Sequence, residues 1–136
     1  MTDSSLLEKY TGRKVDETGE PAAEPEAVDD LGAFGWLRGV RDRALMLELR
    51  RQNGDIMAVG YAWLERVDFD PSIGITLHVV GQKICIRGRN LNAESRPNVR
   101  LFQGITRHRV PWIQEADPAA QLEAGRGATL IEKIEW

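Results

Sequence analysis

The stretch from Ala44 to Leu91 constrains the fold most, because apolar and polar residues alternate along most of it. In the segments 45–50, 73–80 and 83–87, a leucine, isoleucine or valine occupies every second position. A period of two with many β-branched residues is typical of strands that bury one face. We therefore predict a meander of about four short antiparallel strands in this part of the chain.

Three turn signals separate these strands. The Asn-Gly pair at 53–54 is a strong hairpin signal, because both central residues of a type I′ turn need a positive φ. The Gly-Gln pair at 81–82 puts glycine first, as a type II′ turn requires, and Asp-Pro-Ser at 70–72 favours a further turn. Segment 55–70 is apolar on both faces, which predicts the central strand, with a bend at Gly60.

An exposed apolar sheet face needs a cover. Beyond Leu91 the apolar spacing becomes helical, so we predict a helix over 96–108, followed by edge strands at 110–113 and 128–136. The predicted fold is therefore α+β and mainly β. We expect an antiparallel meander that curls into a small barrel, with one C-terminal helix covering it.

The first thirty residues differ in composition from the rest. Residues 1–30 contain nine acidic and three basic residues, a net charge of −6, and few apolar side chains. Such a segment buries too little to offset the entropy lost on ordering. We predict a flexible acidic tail at 1–30 and a single small β-rich domain at 31–136, as suits a chain of 136 residues.

The chain carries no signal for membrane insertion or export. No apolar run approaches the roughly 18 residues of a membrane span. The first twelve residues lack the basic start and apolar centre of a secretory signal. Cys85 is the single cysteine, so no internal disulfide forms. We therefore expect a cytoplasmic protein without a membrane partner.

Charge is segregated along the chain. Segment 31–110 has a net charge of +6, whereas 111–136 has −3. Arginine presents a planar fork that matches phosphate or carboxylate. One interpretation is an anion-binding surface; the alternative is a solvated face whose arginines pair with the chain's own acidic ends. The candidate anion-binding residues are Arg87, Gly88, Arg89, Asn90, Arg96, Arg100, Arg107, His108 and Arg109.

Two segments resemble a known family. ICIRGRNL, residues 84–91, is similar to the second signature of the Sm-like RNA-binding proteins, and LELRRQNGDIMAVG, residues 47–60, resembles the first. The resemblance covers about the central third of the chain. It implies a five-stranded bent barrel of the SH3/Sm-like type, ring oligomers and bound single-stranded RNA. Arg87, Gly88 and Asn90 match the second nucleotide-contacting loop of that family.

The residue types that carry catalysis are scarce. The chain has two histidines and one cysteine, and their spacing does not suit zinc. Phosphate-binding glycine loops of the known types are absent from the sequence. We therefore predict a non-catalytic binding module with no cofactor and no metal site.

Two binding functions remain open. The first is binding of single-stranded RNA or another polyanion through the arginine-rich surface. The second is protein interaction or homo-oligomerisation through strand edges and the aromatic residues Trp36, Trp112 and Trp136. A small-molecule pocket inside the barrel is a third option.

Overall fold

The computed structural model describes residues 27–136, which form two main sheets and two small hairpins. The helices are α1 (Leu101–Thr106) and α2 (Pro118–Glu123), and a 3-10 turn covers Tyr61–Trp63. The strands are β1 (Val28–Asp30), β2 (Gly35–Leu37), β3 (Met46–Arg50), β4 (Ile56–Gly60), β5 (Leu64–Asp70), β6 (Gly74–Val79), β7 (Gln82–Arg89), β8 (Glu94–Arg96), β9 (Val99–Arg100), β10 (Trp112–Gln114) and β11 (Leu130–Glu135).

The larger sheet is antiparallel, with the strand order β11-β7-β6-β5. Its two central strands follow the predicted alternation. Ile75 and Leu77 of β6 and Ile84 and Ile86 of β7 are fully buried, while the residues between them face the other way. One face of this sheet therefore lies on the core and the other faces solvent.

The smaller sheet has the order β10-β3-β4. β4 runs antiparallel to β3, whereas β10 runs parallel to it. Leu47 and Leu49 of β3 are buried in the same apolar cluster as the inward residues of the larger sheet. The core therefore lies between the inward faces of the two sheets. The hairpins β1–β2 and β8–β9 flank it.

The mainly β, largely antiparallel fold is confirmed, but the predicted barrel is wrong. Among residues 27–136, the larger sheet ends at β11 and β5, and these two strands do not pair. Segment 55–70, predicted as one central strand, is broken after Gly60 by the 3-10 turn, so β4 and β5 enter different sheets. Gly60, where a bend was predicted, is itself extended (φ −75°, ψ 132°), and the chain turns in the next three residues.

Tyr61 anchors this break. Its ring is buried, and its hydroxyl donates a 2.6 Å hydrogen bond to the carbonyl of Val110. Burial raises the pKa of Tyr61, so the hydroxyl keeps its proton and remains a donor. The contact joins the turn to the segment that leads into β10, which fixes where the chain leaves the smaller sheet.

The helix predicted over 96–108 is wrong in extent. Residues 94–100 form the hairpin β8–β9, whose turn contains Asn98 at a φ of 67°. The helix is confined to α1, where the rings of Phe102 and Phe69 lie 5.7 Å apart and so place α1 against β5. The predicted edge strands are confirmed as β10 and β11.

The three predicted turns form, but two have a different geometry. At 53–54, only Gly54 has a positive φ (101°), so the turn is not type I′. At 80–81, Gly81 (φ 77°) is the second loop residue and not the first, so the turn is not type II′. Asp70 accepts a 2.9 Å hydrogen bond from the Ser72 N–H, as expected of the third turn.

The boundary of the predicted tail also differs. Residues 1–26 lie outside the described part of the chain, whereas Val28–Asp30 form β1 and pair with β2. The domain therefore begins earlier than residue 31. Between residues 27 and 136, no helix has the length and apolar character needed to cross a membrane.

Candidate binding surfaces

The candidate anion-binding residues fall in three places. The first group follows β7 to its end, the second belongs to the hairpin β8–β9, and the third follows α1. The groups are Arg87, Gly88, Arg89 and Asn90; Arg96 and Arg100; and Arg107, His108 and Arg109.

The two arginines of β7 pair with acids of β11. Arg87 Nε lies 3.0 Å from Glu135 Oε1, and Arg89 Nε lies 3.4 Å from Glu132 Oε2. The bond to Glu135 raises the pKa of Arg87. On this strand the arginines therefore meet the chain's own acidic end, which is the alternative that the sequence left open.

Arg96 forms a salt bridge with Asp29, which lies near the start of the described residues. Arg96 Nη2 lies 2.7 Å from Asp29 Oδ2, and Arg38 Nη2 lies 2.7 Å from Asp29 Oδ1. The hydrogen bond from Arg96, followed by that from Arg38, lowers the pKa of Asp29. This carboxylate therefore joins the hairpin β8–β9 to the hairpin β1–β2.

Arg109 closes the loop that follows β2. Its guanidinium donates to the carbonyls of Leu37 (2.6 Å), Val40 (2.9 Å) and Gly39. Its side chain also lies over the ring of Trp36, 5.4 Å from the centroid. Most of its donors are used within the chain, which makes Arg109 a structural residue of the loop.

His108 has a structural environment as well. Its ring stacks on the buried ring of Tyr61, with centroids 4.4 Å apart and an angle of 23° between planes. Its φ is 58°, the left-handed conformation in which histidine is enriched. The stacking and the backbone turn together place this ring against the 3-10 turn.

Gly88 and Asn90 both contact the segment that leads into β11. A Cβ on Gly88 would overlap the carbonyl oxygen of Leu130, so the absent side chain lets β11 approach β7. The amide of Asn90 donates to the carbonyls of Arg126 (3.1 Å) and Ala128 (2.8 Å). The space beside the Gly88 backbone is therefore filled by the chain's own Leu130 and is not open to a ligand.

Arg100 and Arg107 are the two candidates that share an open depression. Arg100 Nη1 donates to the carbonyl of Asn92 (2.9 Å), and no acidic side chain lines the depression. Its lining residues are Asn92, Arg100, Phe102, Gln103, Thr106 and Arg107.

A different surface surrounds the free edge of β4. Among residues 27–136, β4 pairs with β3 alone, and its sequence IMAVG contains no charge. The side chain of Ile56 is 59% exposed, and Ala58 is also exposed. An exposed edge without charge is unusual, because it offers unpaired backbone groups to any other strand.

The ladder with β3 shows which backbone groups are free. Arg51 N–H donates to the Asp55 carbonyl, and Tyr61 N–H donates to the Leu45 carbonyl. Bonded and non-bonded pairs alternate in an antiparallel ladder. The residues at 57 and 59 therefore bond to β3, whereas Ile56, Ala58 and Gly60 direct their backbone groups outward.

Trp63 extends this edge with a large apolar side chain. Trp63 is 63% exposed as a residue, and its indole lies against Gly60, where a Cβ would be 2.9 Å from Trp63 Cδ1. Exposed Met46 pairs with Gly60, and the N–H of exposed Val80 donates to the Trp63 carbonyl at 3.1 Å. The β4 surface is defined here as Met46, Ile56, Ala58, Gly60, Trp63 and Val80.

Each aromatic residue predicted for protein interaction has an arginine of the chain over its ring, although Trp136 remains 37% exposed. Arg109, Arg50 and Arg51 lie over the rings of Trp36, Trp112 and Trp136, at 5.4, 4.7 and 3.5 Å from the centroids. The sequence prediction missed Trp63. The uncharged segment 56–64 was the sequence feature that could have indicated an exposed apolar surface. It was instead interpreted as part of a buried central strand.

The solvent face of the larger sheet carries a further polar group. Asp68 accepts from Arg66 Nε and lies at the same distance, 2.9 Å, from His78 Nε2. The bond from Arg66, together with that from His78, lowers the pKa of Asp68. In the described part of the chain, no three His, Cys, Asp or Glu side chains form a group able to hold a metal ion.

Comparison with known proteins identifies no relative. The chain matches no protein-family model, and neither the curated proteins nor the solved structures provide a significant match.

Proposed function

We propose that this chain is a non-catalytic protein-interaction module that receives a strand of its partner at β4. The observation that carries the proposal is the uncharged edge strand, in which the outward backbone groups of Ile56 and Ala58 and the N–H of Gly60 have no partner among residues 27–136. Strand addition uses such groups for affinity, while the neighbouring side chains select the partner.

The other edges of the two main sheets support this choice, because each is protected. β5 carries four charged residues within seven positions. β10 is covered on its outer side, since Gln114 N–H donates to the Ala33 carbonyl and Phe34 bridges to Ile113. β11 contains a bulge between Ile131 and Lys133. Charges, covers and bulges are the devices that keep sheet edges from pairing, and within the described residues 27–136 β4 has none of them.

Trp63 supplies the side-chain anchor of the proposed site. A strand placed beside β4 would run past Gly60 and cover the indole that lies on it. Tryptophan is enriched among the residues that dominate interface energies, because one side chain buries a large area. We therefore expect an apolar side chain of the partner to pack on Trp63.

Site-specific photo-crosslinking tests this function. A benzophenone amino acid is placed at Ile56 in the full chain, expressed in its native host, and the matched control is Leu122, which is 88% exposed on α2. We expect a discrete protein crosslink from position 56 and none from position 122. The crosslink should disappear when Ala58→Pro removes an outward N–H donor. Equal products from both positions, or none from position 56, would contradict the proposal.

Polyanion binding is the second candidate, favoured by the depression that Arg100 and Arg107 share, because no acidic side chain lines it, although Glu94 lies opposite Arg100 in the hairpin β8–β9. Its test is a titration with single-stranded RNA at several salt concentrations. Neutralised phosphates release counterions, so log affinity should fall with log salt by about 0.7 per phosphate. Arg100→Ala with Arg107→Ala should abolish binding, whereas Arg87→Ala with Arg89→Ala should spare it. Salt-insensitive or absent binding would remove this candidate.

A further inference from the structure

We infer that the partner strand at β4 is the β4 of a second copy, so that the protein forms a two-fold dimer. This inference rests on the proposed function, because it names the occupant of the same edge. The dimer would join the two smaller sheets into one continuous sheet, in the order β10-β3-β4-β4-β3-β10.

The free backbone groups are self-complementary. They are centred on Ala58, with Ile56 and Gly60 at equal distances on either side. An antiparallel pair with Ala58 on the axis exchanges both bonds between the two Ala58 residues. In the same register, the Gly60 N–H of each copy meets the Ile56 carbonyl of the other. Gly60 is the N-cap residue of the 3-10 turn, so its carbonyl already accepts a hydrogen bond within that turn and is not available to the other copy.

The side chains fit the same register. Opposed residues of an antiparallel pair lie on one face, so Ile56 of one copy stands beside Gly60 of the other. Trp63 covers Gly60 on that face, and both Ile56 and Trp63 are more than half exposed in the single chain. Each isoleucine would therefore contact the indole of the other copy, and the contact occurs twice.

Charge does not oppose the pairing. Segment 56–64 has no charged residue, and the nearest charges on this face, Glu48 and Arg50, bond to each other on β3 at 2.9 Å. β5 would bring its own charges face to face in the same arrangement. A two-fold interface is also the commonest route to a soluble homo-oligomer.

The interface is small, which determines how it must be measured. It consists of five-residue strands and two indoles, so it buries less than the roughly 1,600 Å² of a standard interface. We therefore expect a reversible dimer with a dissociation constant on the order of micromolar. Sedimentation of the full chain over a wide concentration range should show the mass rise from 15.3 kDa towards twice that value.

Charge swapping at Ala58 tests the register. Ala58 is exposed, so lysine or glutamate there should leave the fold unchanged. Ala58→Lys and Ala58→Glu should each weaken association at least tenfold, because like charges meet on the axis, whereas their mixture should dimerise. Leu122→Lys is the control and should dimerise as the wild type does.

Four outcomes would overturn the inference. A wild-type chain that stays monomeric at several hundred micromolar removes the dimer, while a crosslink from position 56 to another protein would still support the proposed function. A dimer that both charged variants retain, or a mixture that stays monomeric, removes the β4 register. Slow amide exchange at Ile56 and Ala58 in a monomer would mean that another segment of the same chain covers the edge.

Discussion

Glu115 provides the sharpest test of how the two sheets are held together. Among residues 27–136 it is the one buried acidic side chain, with 8% of its surface exposed. Its Oε1 accepts from the Gln52 N–H at 2.9 Å, and its Oε2 accepts from the Ile134 N–H at 2.6 Å. One carboxylate therefore joins the β3–β4 loop, the end of β10 and β11.

The expected loss follows from these two bonds. Hydrogen bonds to a charged group contribute about 1.5–3 kcal/mol each, and the desolvation of the carboxylate offsets part of this. Glu115→Ala also leaves two N–H groups without an acceptor. We expect the free energy of unfolding to fall by about 3 kcal/mol for Glu115→Ala. Glu115→Gln should lose about 2 kcal/mol, because its NH₂ group must face one of the two donors.

Urea unfolding followed by tryptophan fluorescence measures both changes. The control is Glu123→Ala, because Glu123 is exposed on α2, and its stability should stay within about 0.5 kcal/mol of the wild type. Amide exchange at Gln52 and Ile134 should accelerate in Glu115→Ala before exchange in the core strands β6 and β7 does. A Glu115→Ala variant as stable as the control would refute the role of this carboxylate.

Two further predictions concern the hairpin contacts and α1. Because Arg96 and Arg38 lower the pKa of Asp29 in the folded state, its contribution to stability is present above the ordinary value of 3.8 and is lost as the pH falls through the folded value. Asp29→Asn should therefore unfold at a lower urea concentration than the wild type at pH 7, with a gap that closes at acid pH; a gap independent of pH would contradict this. Gly104→Ala should lower the free energy of unfolding by about 1–3 kcal/mol in thermal or urea unfolding, because a Cβ at this position would overlap Trp36 and Val110. In an exposed helix the same change would stabilise by about 1 kcal/mol, so an increase in stability would refute the predicted overlap.

The sequence predicted best the strands that bury one face. β6 and β7 carry a clean period of two, because Ile75, Leu77, Ile84 and Ile86 point to the core and their neighbours point to solvent. Segment 55–70 has no such period. Its apolar residues on both sides come from an edge strand, a buried turn residue at Tyr61 and an exposed Trp63, which together resemble a fully buried strand.

The helix prediction failed for a related reason. Val99 and Ile105 are both buried, as the helical spacing predicted, but Val99 reaches the core from β9. The Pro97-Asn98 pair, which lies within the predicted helix, forms the tip of a hairpin, where Asn98 takes a positive φ. The spacing of apolar residues indicates which residues are buried, but a helix and a strand followed by a helix can bury the same residues.

The surroundings of the arginines could not be predicted from the sequence. Arg87 bonds to Glu135, and Arg96 bonds to Asp29, across separations of 48 and 67 residues. These partners are set by the pairing of β7 with β11 and by the contact between two hairpins. Among residues 27–136, the arginines at 87, 89 and 96 are therefore compensated by Glu135, Glu132 and Asp29, which belong to the acidic parts of the sequence.

The compensated charges and the bare edge of β4 point to the same kind of recognition. Paired guanidiniums create a weaker field, so long-range attraction of a polyanion is reduced over most of the candidate surface. An uncharged strand edge acts only at contact, through backbone bonds and apolar burial. Such an edge is also an aggregation hazard if it stays open. Within residues 27–136, β5, β10 and β11 are each protected and β4 is not, and the proposed occupant at β4 would account for this one unprotected edge.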